Sequence, residues 1–338
     1  MRVGFAYNIK GQLPTGKPPD HFAEFDDPQT IDAIRNVLQE RHDVFSIEVN
    51  EDAYARIVES RSDIIFNLAE GLHGSGREAQ IPAILEMLQI PYTGSDPVTL
   101  AISLDKRRTR EVLMANGIPT PRQVVIDSVD GVGAARRDLN ASVAIIKPVA
   151  EGSSKGIPDA SVVEEDEQWR VAVGKVLDVY RQAAVAEEFL PGREFTVAIL
   201  GNGADARAFP TVEINLSILP NGLKPIYSYE AKWVVDRPEN PIDIFTCPAD
   251  IPPELDRQVQ TVALDAYRVL DCRDWSRVDV RLDATGRPRI IELNPLPGIL
   301  PNPEENSCYP KAARAGGLSY SEMIHAVLDA ACKRVGLS

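Results

Sequence analysis

The segment RVDVRLDATGRPRIIELNP, residues 277–295, does most to limit what this chain folds into. Two apolar-rich runs, 278–282 and 289–293, flank Asp283-Ala284-Thr285-Gly286 and predict a β-hairpin. Alternate residues of a strand share a face. Glu292 and Asn294 therefore point the same way, and Asp279 can face them from the neighbouring strand. Three oxygen donors on one sheet face suit magnesium on a nucleotide phosphate. A solvated sheet edge would carry the same charges. The adjoining Ile290 and Ile291 argue for burial, and buried acids have partners.

Upstream, residues 2–8 read as a strand, followed by a loop rich in Gly, Pro and charge through residue 26. Asp27-Pro28 then supplies a helix start, a capping carboxylate with proline at the first helical position. Ile31, Ile34, Val37 and Leu38 follow at helical spacing. Strands are predicted over 44–49 and 64–67, a helix over 81–89, and a further helix has room around 54–59. This order predicts a parallel sheet with helices on its faces. A helix over 104–116, ended by Gly117, comes next. Strands over 124–126, 143–146, 185–189, 194–200 and 208–214 alternate with a helix over 165–182. A proline-rich loop over 237–253, a helix over 254–270, the hairpin and a last helix over 319–335 complete the chain. The expected class is α/β followed by α+β.

Composition narrows the function. With 36 Lys+Arg against 50 Asp+Glu, the net charge of −14 argues against a broad surface for nucleic acid or anionic membrane. No apolar run is long enough for a transmembrane helix or a signal peptide. Cys247, Cys272, Cys308 and Cys332 are scattered, which fits reduced thiols in a cytoplasmic protein. The four histidines lack zinc-site spacing.

The stretch IIKPVAEGSSKGI, residues 145–157, has two readings. Gly152-x-Ser154-x-Gly156 fits the nucleophile elbow of a serine hydrolase, but an elbow needs a helix directly after its turn. Here Pro158 follows, and the one C-terminal histidine, His325, lies within the predicted last helix. The alternative is a small, donor-rich loop that closes over phosphates, with Lys147 fixed at the end of a strand beside it. A solvated Ser-Gly turn would look the same in isolation. Gly11 to Lys17 nearly matches a P-loop, but Pro18 stands where a hydroxyl should ligate magnesium. Residues 187–194, EEFLPGRE, join two strands; an extended linker of this kind can read an adenine edge, or can be a plain acidic turn.

Together these pieces resemble the ATP-grasp superfamily, and most closely the D-alanine–D-alanine ligase family. The shared run includes Pro91 to Ser95, Leu104-Asp105-Lys106, Lys147-Pro148, Glu151 to Ser154, Glu187 to Glu194, Tyr229 to Lys232, Asp279, Glu292, Asn294 and Pro297-Gly298. The resemblance implies an ATP-grasp fold with an N-terminal Rossmann-like domain. Its parts would be residues 1–104, a central lid over 105–187 and a C-terminal part over 188–338. By the same resemblance, Lys106 and Lys147 contact ATP phosphates, and Glu187, Glu188, Phe189 and Leu190 form the adenine hinge. Glu194 holds the ribose and Lys232 reaches the γ-phosphate. Asp279, Glu292 and Asn294 hold two magnesium ions, with manganese an alternative. Arg277 and the Gly298 N–H steady the tetrahedral intermediate, and Ser153 and Ser154 sit on the loop over the phosphates.

The implied activity is ligation of a carboxylate to an amine through an acyl phosphate, in a cytoplasmic homodimer acting on small molecules. Three departures bear on the substrates. The family's N-terminal acid, which holds the first ammonium, has only Glu24 in the long loop 8–26 as a substitute. The family's tyrosine after Lys232 is Trp233. Extra residues follow Gly298, so the serine that binds the second carboxylate is Ser307 counted back from Pro310, but Pro303 counted forward. The expectation is a ligase whose substrate is not simple D-alanine. An authentic D-alanine–D-alanine ligase and an ATP-binding protein without ligase activity are the alternatives.

Overall fold

The computed structural model describes residues 1–236 and 241–337; the first four residues of the expected loop 237–253 lie outside these. The chain opens with β1 (Arg2–Tyr7), α1 (Pro28–Gln39), β2 (Asp43–Glu48), α2 (Ala53–Ser60), β3 (Ile64–Asn67) and α3 (Gln80–Met87). The strands pair in parallel in the order β2-β1-β3, as the element order predicts. Helix α1 begins where Asp27-Pro28 places it and buries Ile31, Ile34, Val37 and Leu38.

The helix expected over 104–116 stands at Lys106–Ala115, and a further helix, not expected, precedes it over Pro97–Leu104. Between α4 (Pro97–Leu104) and α5 (Lys106–Ala115) the chain breaks at Asp105, which is extended. Its carboxylate accepts the Arg108 N–H at 3.0 Å and caps α5. Asp96 caps α4 in the same manner, so Asp96-Pro97 repeats the signal of Asp27-Pro28.

Next come β4 (Gln123–Ile126), α6 (Val132–Leu139), β5 (Ala144–Pro148), β6 (Val162–Val163), α7 (Asp166–Lys175) and β7 (Ala184–Glu188). Their antiparallel sheet runs β4-β7-β5-β6. Trp169 and Val173 of α7 and Leu139 of α6 close a core drawn entirely from residues 126–186. The helix expected to reach residue 182 ends at Lys175 and passes through one wide turn to Arg181, whose φ is 55°.

The remainder holds β8 (Glu194–Leu200), β9 (Arg207–Ala208), β10 (Val212–Ile214), β11 (Phe245–Thr246), α8 (Pro253–Val269), β12 (Trp275–Leu282), β13 (Pro288–Asn294), α9 (Cys308–Ala315) and α10 (Tyr320–Val335). The sheet runs β11-β10-β8-β12-β13, with β9 on β8. The strand expected over 208–214 is split around Pro210, which has no N–H to give to a ladder.

One face of the first sheet is closed by α2 and α3, through Ile47, Ile57, Ile65, Ile81 and Leu85; three larger cores hold the other layers. Phe5 and Phe66 of the first sheet pack with Trp275, Tyr309 and the apolar face of α10. The Phe66 and Trp275 rings are 6.0 Å apart, and Trp275 and Tyr309 5.4 Å. A second core lies between the last sheet and α8, and Leu113 of α5 enters it. The third is that of the central sheet.

Candidate active site

The expected hairpin is β12–β13, and its register sets the site. Asp279 pairs with Glu292 and Arg277 with Asn294 across the ladder. The Arg277 guanidinium is bidentate on Asp279, at 3.1 and 2.9 Å, and Thr196 of β8 donates to the same carboxylate at 2.6 Å. Glu292 is held by Lys106 at 3.1 Å. Burial alone would raise the Glu292 carboxyl; Lys106, Arg277 and Lys147 outweigh it and bring it down to about 2.

Lys106, Arg277, Asp279 and Glu292 border a cleft of about 250 Å³ that also takes in Lys147, Glu187, Lys232, Trp233 and Gly298. Lys147 reaches it from β5 and pairs with Glu187 of β7 at 2.5 Å. Lys106, the first residue of α5, also donates to the Glu151 carbonyl. Burial, with Arg277 nearby, lowers the Lys232 ammonium to about 8. At the other end of the cleft, Glu194 pairs with Arg281 at 3.0 Å, and Arg281 stacks 4.8 Å from the centre of the Phe189 ring. Glu188, the last residue of β7, donates its N–H to the Arg122 carbonyl, and Phe189, just after it, donates to that of Val143. Leu190 is buried beside them and lines the cleft.

The phosphate-loop stretch forms an irregular loop between β5 and β6, with no helix directly behind it. Ser153 and Ser154 have φ of 51° and 59°, two consecutive residues in the left-handed region. Ser154 Oγ donates to the Tyr227 carbonyl at 2.9 Å. His325 is buried in α10 with Glu40 3.4 Å away, so it belongs to the packing of α10 and not to this loop. That removes the hydrolase reading.

Loop 8–26 lies against the same segment. Glu24 Oε1 accepts from Arg77 at 2.5 Å and from the Gly152 N–H at 2.8 Å. Asp20 accepts the Gly156 N–H at 2.8 Å and the Tyr180 hydroxyl at 2.6 Å. Gly156 sits at φ 73°, and a β-carbon there would come within 2.4 Å of Pro148 Cγ. Trp233 lies with Lys10 and Lys232 each 5.2 Å from its ring centre, and its indole N–H points at the Ser153 carbonyl at 3.5 Å.

Of the two positions weighed for the second carboxylate, Pro303 is exposed and Ser307 lines the cleft. Ser307 Oγ donates to the Gly298 carbonyl at 3.0 Å and accepts the Leu300 N–H at 3.2 Å. The structure thus gathers Lys106, Lys147, Lys232, Arg277, Asp279 and Glu292 at one cleft, with Asn294 in the adjoining chamber. Sequence reasoning passed over Asp20, Glu70, Arg77 and Glu78. For Glu70, Arg77 and Glu78 the one visible signal was the density of glycine and charge in AEGLHGSGREA, residues 69–79; Asp20 lies within the charged loop 8–26.

Comparison with known proteins agrees with this arrangement. The family model described as "D-ala D-ala ligase C-terminus" matches residues 116–329. The D-alanine–D-alanine ligase of Bordetella avium is 38% identical over 264 residues, 78% of this chain and 77% of that protein. The uncharacterized protein y4sG of Sinorhizobium fredii is 36% identical over 279 residues, 81% of this chain and 76% of its own length. The crystal structure of the Bacillus anthracis D-alanine–D-alanine ligase complexed with ATP superposes with a TM-score of 0.73 at 21% identity. It covers 100% of this chain and 99% of that one. The chain belongs to the D-alanine–D-alanine ligase family of ATP-dependent carbon–nitrogen ligases, with the ATP-grasp fold.

Proposed function

We propose that this chain joins a carboxylate to an amine other than as simple D-alanine pairs, consuming ATP. The substrate carboxylate attacks the γ-phosphorus of ATP, giving an acyl phosphate and ADP. The amine then attacks the acyl carbon, loses a proton and expels phosphate. The convergence of Lys106, Lys147, Lys232 and Arg277 on one cleft carries the reading. Four cations there offset the charge of a transferring phosphoryl group.

In this reading Lys106, Lys147 and Lys232 bind the phosphates. Glu187 to Leu190 hold adenine, and Glu194 holds the ribose. Arg277 and the Gly298 N–H face the oxyanion of the tetrahedral intermediate. Ser153 and Ser154 keep water from the acyl phosphate. Asp279, Glu292 and Asn294 fit a hard divalent cation: two carboxylates, paired across the ladder, and an amide oxygen from the same hairpin. Magnesium bound there would neutralise phosphoryl oxygens.

Trp233 supports the substrate part of the proposal. Its bulk occupies the family's tyrosine position at the cleft, and its indole donates but cannot accept. The test is ADP release by the purified protein over a panel of amino and related acids, with product mass. Weak or no turnover of D-alanine alone is expected. Robust D-alanyl-D-alanine formation at millimolar D-alanine would make the chain an ordinary member of its family. The resemblance also supports a cytoplasmic homodimer; light scattering tests the dimer. Among the described residues no helix is long and apolar enough to cross a membrane.

A further inference from the structure

Two carboxylates at the reacting end of the cleft have no cation of their own. Glu70 lies just beyond β3 and Glu78 just before α3, and their oxygens lie with those of Glu24 within 4.8 Å of one another. Both border a chamber they share with Arg277 and Gly298. The nearby cations are committed elsewhere. Arg77 holds Glu24 at 2.5 Å and Glu151 at 3.2 Å, and Lys155 holds Glu151 at 2.8 Å. Lys106 pairs with Glu292, and Lys10 with Asp27. Glu78 is 8% exposed, and among the described residues its carboxylate has neither hydrogen bond nor ion pair; nor has that of Glu70.

Glu78 is buried and Glu70 half-buried; adjacent acids shielded from water ionise only at a cost without counter-charge, and here a substrate can supply it. One ammonium can touch both, but it offsets only one negative charge, and the other acid would have to keep its proton. A divalent metal ion fits less well, because the Arg77 guanidinium already sits on Glu24, the third carboxylate of the group.

Building on the ligase reading above, we propose that the acid substrate is a short diamino carboxylic acid. Its carboxylate lies toward Arg277 and Gly298, and its two ammonium groups toward Glu70 and Glu78.

The experiment compares ADP release with 2,3-diaminopropionate and 2,4-diaminobutyrate against 2-aminobutyrate, which lacks the second ammonium. Both enantiomers are used, with a panel of amines. The kcat/KM for a diamino acid should exceed that for 2-aminobutyrate by about tenfold to a hundredfold, the scale of one hydrogen bond to a charged group. Glu70→Gln and Glu78→Gln should each cut that ratio about tenfold without lowering the melting temperature, since each removes an acid that has no ion pair among the described residues. Equal or better use of 2-aminobutyrate, or a ratio unmoved in both variants, overturns the proposal and leaves the ligase reading standing. ADP release with no acid at all overturns both. Tight Mn²⁺ binding without nucleotide, lost in Glu78→Gln, overturns the diamino acid in favour of a metal ion.

Discussion

The carboxylate of Asp20 accepts the backbone N–H of Gly156 at 2.8 Å, across 136 positions of the sequence. It ties the long N-terminal loop to the far end of the loop that carries Ser153 and Ser154. Tyr180 shares the same oxygen at 2.6 Å. Asp20→Ala would leave both donors without their acceptor, at a cost of about 1–3 kcal/mol in urea unfolding. The KM for ATP should rise several-fold, with kcat less affected, and residues 149–158 should become more open to proteolysis. An unchanged KM and cleavage pattern would mean that the contact does not position the loop.

Glu292→Gln should lower ADP release by on the order of a hundredfold or more, the scale of losing a preorganised charge partner at a reacting group. The fold should persist, because Lys106 keeps its bond to the Glu151 carbonyl. Circular dichroism and steady-state kinetics check the two halves. Undiminished ADP release would remove Glu292 from the proposed metal set.

Ser154→Ala removes a hydroxyl that donates to the Tyr227 carbonyl at 2.9 Å. The variant should bind ATP several-fold more weakly and still form product. A serine nucleophile would behave otherwise: all activity would vanish, and a phosphonate probe would label the wild-type protein at Ser154.

Two titrations predict opposite pH effects. Lys232, lowered by burial and Arg277 to about 8, loses its charge as pH rises through that value, so kcat/KM for ATP should fall on the alkaline side. Glu78 is raised by burial, then by Glu24, from 4.5 to about 8. Between those values the folded chain holds a proton that the unfolded chain has released. This stabilisation is complete below about pH 4.5 and is lost as pH rises through about 8. The melting-temperature difference between wild type and Glu78→Gln should therefore move against wild type from acid to alkaline pH. A constant difference would contradict it.

Local signals in the sequence located what local chemistry decides. Asp27-Pro28 placed α1, Asp283 to Gly286 placed the turn of β12–β13, and strand alternation placed Asp279 opposite Glu292. Helices α6 and α9 were passed over because each has only 8 residues and a short apolar face. Helix α4, also of 8 residues, was passed over too, and the expected start at residue 104 lies two residues before that of α5. Glu70, Arg77 and Glu78 carry no motif. Their charges acquire meaning only once folding brings Glu24 from loop 8–26 beside them. Which carboxylates retain a counter-ion is a property of the packed chain, and spacing along the sequence does not contain it.

The packing of Phe66 against Trp275 and of Trp275 edge-to-face with Tyr309 makes the two ends of the chain thermodynamic dependants of each other. The first sheet has no complete interior without α10, so a fragment cut after residue 104 should expose its aromatic face and aggregate. The central sheet closes its core within residues 126–186 and can respond as its own cooperative unit. Exchanging that middle segment between relatives is therefore a milder graft than exchanging the first, which would also need the matching helix from the far terminus.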